Sequence, residues 1–156
     1  MEPPGGKPEI SEPPGAILFA CSLNAVRSPM AAALMRHLFP GRVYVESAGV
    51  RPGDIDGFAI QVMDEIGLDI SGHHPVSFDE LADTSFDIIV TLSPEAHHQA
   101  LELTRTFAVD VEYWPTMDPS IASGNRENML QTYRSIRDQL MQKIKTRFDW
   151  HGGPSI

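Results

Sequence analysis

Unbroken apolar runs alternate along this chain with stretches of helical period. AILFA, residues 16–20, is short and wholly apolar, the pattern of a strand buried on both faces. VYVESAGV, 43–50, is a second strand that runs into a glycine turn. FDIIVTL, 86–92, is a third, and VDVEYW, 109–114, a fourth. Between them the period changes. MAAALMRHLF follows Ser28 and Pro29, which read as a helix N-cap and first helical residue, and it stops at Pro40-Gly41. DGFAIQVMDEIGL sets Phe58, Val62, Met63 and Ile66 on one face and ends at Gly67. SPEAHHQALEL repeats the Ser-Pro start at Ser93 and Pro94. From about Asn125 to Phe148 a long helix is predicted, with Tyr133, Ile136, Leu140 and Ile144 on its core stripe. Strands alternating with helices predict an α/β fold: one domain, a four-stranded parallel sheet, and helices on both faces. Ligands of such sheets bind beyond the C-terminal strand ends, where residue 21 lies.

Composition narrows the class. A chain of 156 residues suffices for one domain with a core. The expected division is a disordered tail over 1–15, rich in Pro, Gly and Glu, a domain over 16–148, and a frayed end over 149–156. No apolar run approaches the roughly 20 residues of a membrane span. The first 15 residues lack the basic-then-apolar order of a signal peptide. The formal net charge of −9 argues against a broad basic surface, so neither nucleic acid nor membrane is expected as a partner. A single cysteine, Cys21, forms no intrachain disulfide, which suits a reducing cytoplasm.

That cysteine stands in FACSLNAVRSPM, at a strand end and just before a helix start. Backbone N–H groups in such a loop can converge on an anion, and the helix N-terminus favours a thiolate. Arg27, six positions on, offers a fork of donors that matches two phosphate oxygens. Ser22, Leu23, Asn24, Ala25 and Val26 would wrap one tetrahedral oxyanion between them. Ser28 adds a hydroxyl able to donate to the thiolate. The competing account is a buried cysteine and a surface arginine. His73-His74 and His97-His98 invite a metal reading. Adjacent residues share no helix face, however, so no metal site is expected and the 97–98 pair reads as surface histidines.

ILFACSLNAVRSPMAAALMRHL resembles the phosphate loop and first helix of the low-molecular-weight protein tyrosine phosphatase family, which shares its fold with the thioredoxin-type arsenate reductases. ESAGV, GLDISGHH and MDPS are similar to the family's Ser-Ala-Gly turn, its supporting-histidine segment and its Asp-Pro acid loop. The resemblance implies a phosphate loop between strand 1 and helix 1. It also implies a phosphomonoesterase, expected to act on phosphotyrosine through a phosphocysteine at Cys21. Arg27 would hold the phosphoryl oxygens and Asp118 would serve as acid, then base. Asn24 would be held by a network including His73, and Ser47 would brace the loop or serve as a plain turn serine. No cofactor is implied. Substrates would be a phosphorylated protein or a small phosphomonoester, with phosphate, vanadate or arsenate as ligands. Alternatives are arsenate reduction with an external thiol, a phosphatase for another residue such as phosphoarginine, and a non-catalytic phosphoprotein-binding module. Two departures stand out. Leu23 replaces the family's glycine, so the loop must avoid backbone that only Gly tolerates. Val26 replaces its second cysteine. The substrate walls implied by the family would come from Ser22, Ala25, the segment after Ser-Ala-Gly and the acid loop. These are small or lack aromatics here, with Phe58 as a partial wall.

Overall fold

The apolar run of β1 (Ala16–Cys21) sits at the centre of the sheet, where both of its faces are covered. The computed structural model describes residues 12–81 and 85–152. The tail read over 1–15 lies outside these residues as far as 11, and the end read as frayed lies outside them from 153. Gly15 is already tied in, its carbonyl accepting from the Tyr44 amide at 2.9 Å.

After β1 come α1 (Arg27–Leu38), β2 (Tyr44–Gly49), α2 (Gly57–Asp64), β3 (Ile88–Thr91), α3 (Pro94–Leu103), β4 (Asp110–Tyr113) and α4 (Arg126–Arg147). Short 3₁₀ turns lie at Phe78–Leu81 and Pro119–Ile121. The four strands are all parallel, in the order β2-β1-β3-β4. The chain therefore leaves β1 in one direction for β2 and returns on the other side for β3. The crevice beyond the C-terminal ends of β1 and β3 is the switch point at which open α/β sheets bind ligands.

Alternation along β1 builds two cores. Ile17, Phe19 and Cys21 join the larger one with Met30, Leu34, Tyr133, Ile136, Leu140 and Ile144 of α1 and α4. Leu18 and Ala20 face the smaller one, with Ile89 of β3 and Ala96 and Ala100 of α3. Each fully buried large side chain contributes about 1.5–3 kcal/mol. Among the described residues no helix is long and apolar enough to cross a membrane.

Two local expectations change. Ser47 and Gly49 lie within β2, so the predicted glycine turn is the strand's end and Ser47 is a buried strand residue. Ser28 is not a cap: α1 begins two residues earlier than expected, at Arg27, and its Val26 N-cap makes no side-chain hydrogen bond. The other three helices carry side-chain caps, Ser93 for α3 as expected, and Asp56 for α2 and Asn125 for α4.

Candidate active site

Cys21 ends β1 and Arg27 opens α1, so the loop of residues 22–26 closes over the switch point. Its carbonyls are pinned from outside. Those of Cys21, Ser22, Leu23 and Ala25 accept from the amides of Val50, Arg51, Gly53 and Asp56 at 3.2, 2.8, 2.7 and 3.1 Å. A planar trans peptide points its C=O and the following N–H in opposite directions. The N–H groups of Ser22, Leu23, Asn24 and Val26 are thereby turned to the inner side. The Asn24 amide reaches Cys21 Sγ there, at 3.3 Å. Asn24 takes the loop's one left-handed residue, at φ 55°, a conformation Asn tolerates and Leu does not. Leu23 thus stands in place of a glycine without strain.

Behind the loop the polar groups form one connected set. Asn24 Nδ2 donates to Ser28 Oγ at 2.8 Å and to Ser47 Oγ at 2.9 Å. Ser28 Oγ accepts there, and its own proton has two acceptors in reach, Cys21 Sγ at 3.0 Å and the Ala48 carbonyl at 3.4 Å. Asn24 Oδ1 accepts from the Val76 amide at 2.9 Å and from His73 Nε2 at 3.1 Å, which assigns the proton to that nitrogen. Burial holds the His73 ring below the usual histidine range, with the Arg36 charge acting in the same direction. Ser28 and Asn24 are fully buried and no buried side-chain polar atom among the described residues lacks a partner.

This contact geometry explains Gly49. A Cβ there would lie 2.7 Å from the Asn24 nitrogen and 2.8 Å from the Leu23 carbonyl carbon, both backbone atoms that cannot swing aside. Gly49→Ala should therefore push the loop off its seat. We expect a loss of about 1–3 kcal/mol, read as a lower Tm of several degrees with weakened phosphate binding. An unchanged Tm would show that the loop yields freely.

Arg27 is only 7% exposed. Its Nη1 donates to the carbonyls of Thr116 at 2.9 Å and Leu92 at 3.4 Å, which fixes the guanidinium plane beside the cavity. Nη2 lies 3.8 Å from Asp118 Oδ2. Asp118 is held by its other oxygen, which accepts from the Ser120 amide and hydroxyl at 2.9 and 2.7 Å. Oδ2 is thus left facing the cavity mouth. A cavity of about 200 Å³ is lined by Cys21, Leu23, Ala25, Val26, Arg27, Gly53, Asp54, Asp56, Asp118 and Ser120. A buried thiol, inward amides and a fixed guanidinium can hold a tetrahedral oxyanion in line with the sulfur, with Asp118 Oδ2, paired only loosely to Arg27, beside it.

Residues 21–28, Ser47, His73 and Asp118 gather at this end of the sheet, though not all line the cavity. Ser22 Oγ turns to Ser93 Oγ at 3.1 Å. Ser47 and His73 act through Asn24. Phe58 is not a wall: its ring packs on Tyr133 at 5.3 Å, under the Arg126 guanidinium. Nor is His97 a simple surface histidine. It is half-buried, stacks on Tyr113 at 4.7 Å and bonds Thr91 Oγ1 at 2.9 Å. Among the described residues no group of three His, Cys, Asp or Glu is arranged to hold a metal ion.

Sequence reasoning named the segment after Ser-Ala-Gly only as a substrate wall and missed that residues 50–56 pin the loop carbonyls. Those amide contacts carry no side-chain signature and depend on tertiary approach. Asp56 alone was accessible, as an N-cap ahead of α2. Its Oδ1 accepts from the Phe58 and Ala59 amides, and its Oδ2 from Tyr133 hydroxyl at 2.9 Å. Burial, reinforced by that carboxylate, raises the Tyr133 phenol above its usual range and keeps it a donor.

Comparison with known proteins agrees in fold. The family model for low molecular weight phosphotyrosine protein phosphatase matches residues 16–148. An arsenate reductase of Shouchella clausii is 31% identical over 131 residues, 83% of this chain and 91% of that one. A solved arsenate reductase in the phosphate binding state superposes with a TM-score of 0.67 at 26% identity, over 86% of this chain and 96% of the other. The tyrosine phosphatase Wzb from Escherichia coli K30, in complex with sulphate, gives a TM-score of 0.73 at 24% identity, over 89% and 99%.

Proposed function

The chain belongs to the low molecular weight phosphotyrosine protein phosphatase family, and on that premise we propose that it is a phosphomonoester hydrolase working through a phosphocysteine on Cys21. The observation that carries the reading is the set of donors converging on Sγ: the Asn24 amide, the Ser28 hydroxyl, and the loop amides turned inward beside Arg27.

Cys21 thiolate attacks phosphorus in line with the leaving oxygen. The P–O bond breaks as the P–S bond forms, and Asp118 delivers its proton to the departing oxygen. Arg27 and the inward amides hold the three equatorial oxygens, where charge redistributes in the transition state. Asp118, now a carboxylate, takes a proton from water. The resulting attack breaks the P–S bond and releases phosphate and the thiolate. Ser28 and the Asn24 amide hold that sulfur as leaving group. The domain at 16–148 carries this chemistry, in the cytoplasm.

Phosphotyrosine is accepted, with modest preference, since no aromatic side chain lines the cavity. Phosphoarginine is the second substrate class, favoured by the carboxylates of Asp54, Asp56 and Asp118 in that lining, which suit a cationic leaving group. Arsenate reduction is the competing reading, favoured by relatives named as arsenate reductases. Reducing arsenate to arsenite takes two electrons, and one cysteine supplies no intrachain disulfide. The resolving thiol would come from glutathione-type or glutaredoxin donors.

The test measures kcat/KM for phosphotyrosine, phosphoserine and phosphoarginine peptides and an aryl phosphate, beside thiol-dependent arsenite production. Phosphate release from the aryl ester is expected, with phosphotyrosine and phosphoarginine within about 10³ of each other. Arsenite production without phosphate release would replace this reading with the reductase.

A further inference from the structure

Asp56 stands under two demands that conflict. As the N-cap of α2 it accepts from the Phe58 and Ala59 amides through Oδ1, at 2.7 and 3.2 Å, and a negative charge there favours the helix. It also lines the cavity over Cys21, where a phosphoryl dianion has to sit and a further carboxylate repels it. Among the described residues no ion pair offsets that charge. The remaining oxygen, Oδ2, accepts from the Tyr133 hydroxyl at 2.9 Å. Tyr133 lies on the core stripe of α4 and is 1% exposed, so a phenylalanine would fill the same space. The hydroxyl is what the tyrosine adds, and Asp56 is its partner.

We propose that Tyr133 is a positioning residue for phosphoryl binding: its buried hydroxyl donates to Asp56 Oδ2, and so fixes and partly neutralises that carboxylate beside the dianion that Cys21 attacks. The inference rests on the phosphomonoesterase reading of the same cavity and adds to it a residue of α4, far from the phosphate loop in the chain. Tyr133 acts through Asp56. Without the hydroxyl, Oδ2 keeps its charge and has no donor, and the carboxylate is free to turn into the cavity. The dianion then meets a nearer negative charge. The Ala25 carbonyl, held by the Asp56 amide at 3.1 Å, also loses a fixed support. Both losses fall on binding of the anion. The thiol and Asp118 keep their own partners, so the chemical steps are spared. Burial raises the Tyr133 phenol above its usual range. The bond to Asp56 and the charges of Asp56 and Asp118 act in the same direction, so the proton stays on the tyrosine.

The experiment takes the unsubstituted chain, Tyr133→Phe, Asp56→Asn and the two changes together. It measures KM and kcat for nitrophenyl phosphate and, with Cys21→Ser added to each, the Kd of inorganic phosphate by calorimetry. Tyr133→Phe should raise KM and the phosphate Kd by about tenfold, with kcat within about threefold. Asp56→Asn keeps an oxygen for the α2 amides and removes the charge, so it should tighten phosphate by about two- to threefold. In that background Tyr133→Phe should change the phosphate Kd by less than about twofold. A tyrosine that serves only the core would lower Tm and leave the phosphate Kd of the folded protein alone, and that result overturns the proposal. An equal loss from Tyr133→Phe in both backgrounds overturns it too. So does weaker phosphate binding by Asp56→Asn, which decides the matter even where Tyr133→Phe fails to fold. Calorimetry separates the two readings. A phosphate Kd that depends on Tyr133 as described, in a protein that hydrolyses no ester, would keep the tyrosine's role and remove the phosphatase. Hydrolysis with a phosphate Kd indifferent to Tyr133 would do the reverse.

Discussion

Cys21→Ser should abolish phosphate release from an aryl phosphate, a fall of roughly 10⁴–10⁶ in kcat, while the protein stays folded and still binds phosphate. The reason lies in what the donors can hold. The Ser28 hydroxyl and the Asn24 amide, 3.0 and 3.3 Å from Sγ, are placed to donate to a thiolate. A serine hydroxyl is too weak an acid for two neutral hydrogen bonds to yield the alkoxide. The anion cradle is backbone and Arg27, so it survives the change. Steady-state phosphate release, thermal unfolding and calorimetric titration with phosphate read the three parts. Retention of more than about one per cent of turnover would mean that another group attacks phosphorus.

Asp118→Asn should lower kcat for phenyl phosphate by roughly 10²–10⁴. The asparagine oxygen can keep both Ser120 contacts, so the loop stays in place and the loss isolates the proton. Nitrophenyl phosphate, whose leaving group needs less protonation, should suffer less in the first step. Its second step still lacks the base. Rapid mixing should then show a burst of nitrophenolate, close to one per enzyme, followed by slow turnover. Wild-type turnover of phenyl phosphate by this variant would transfer the role to another carboxylate. Asp54 is the candidate, since Asp56 is committed to the α2 amides and Tyr133. Asp54 lines the same cavity and is exposed.

The sheet and most helix boundaries were legible in the sequence because burial writes them there. AILFA and FDIIVTL are apolar without a break, and central parallel strands are covered on both faces. Ser93-Pro94 was read correctly as a helix start, and the identical pair Ser28-Pro29 was not. In α3 the hydroxyl serves the helix's own amide, at 3.2 Å. In α1 the hydroxyl is diverted to Cys21, and the helix starts earlier with no side chain on its first amides. A dipeptide carries no sign of that diversion. It shows only when Asn24, Ser47 and Cys21, far apart in the chain, meet around Ser28. Ala25, the segment after Ser-Ala-Gly and the acid loop do line the cavity, and Ser22 was misplaced for a similar reason. Ser22 and Leu23 are neighbours in sequence, and loop twist alone decides that the leucine faces the cavity and the serine faces Ser93.

The pinning of the loop carbonyls by residues 50–56 has an evolutionary consequence. An anion cradle made of main-chain groups, and oriented by another main-chain segment, places few demands on the side chains that ride on it. Only Asn24, with its left-handed backbone, and the Cys21, Arg27 and Ser28 trio are committed. Positions 22, 23, 25 and 26 can drift, as the leucine and valine here have done, without dismantling the cradle. One inherited framework can thus be retuned from one tetrahedral oxyanion to another, or from one leaving group to another, by substitutions each too small to cost the fold. Proteins named as a phosphatase and as an arsenate reductase do share the architecture of this chain.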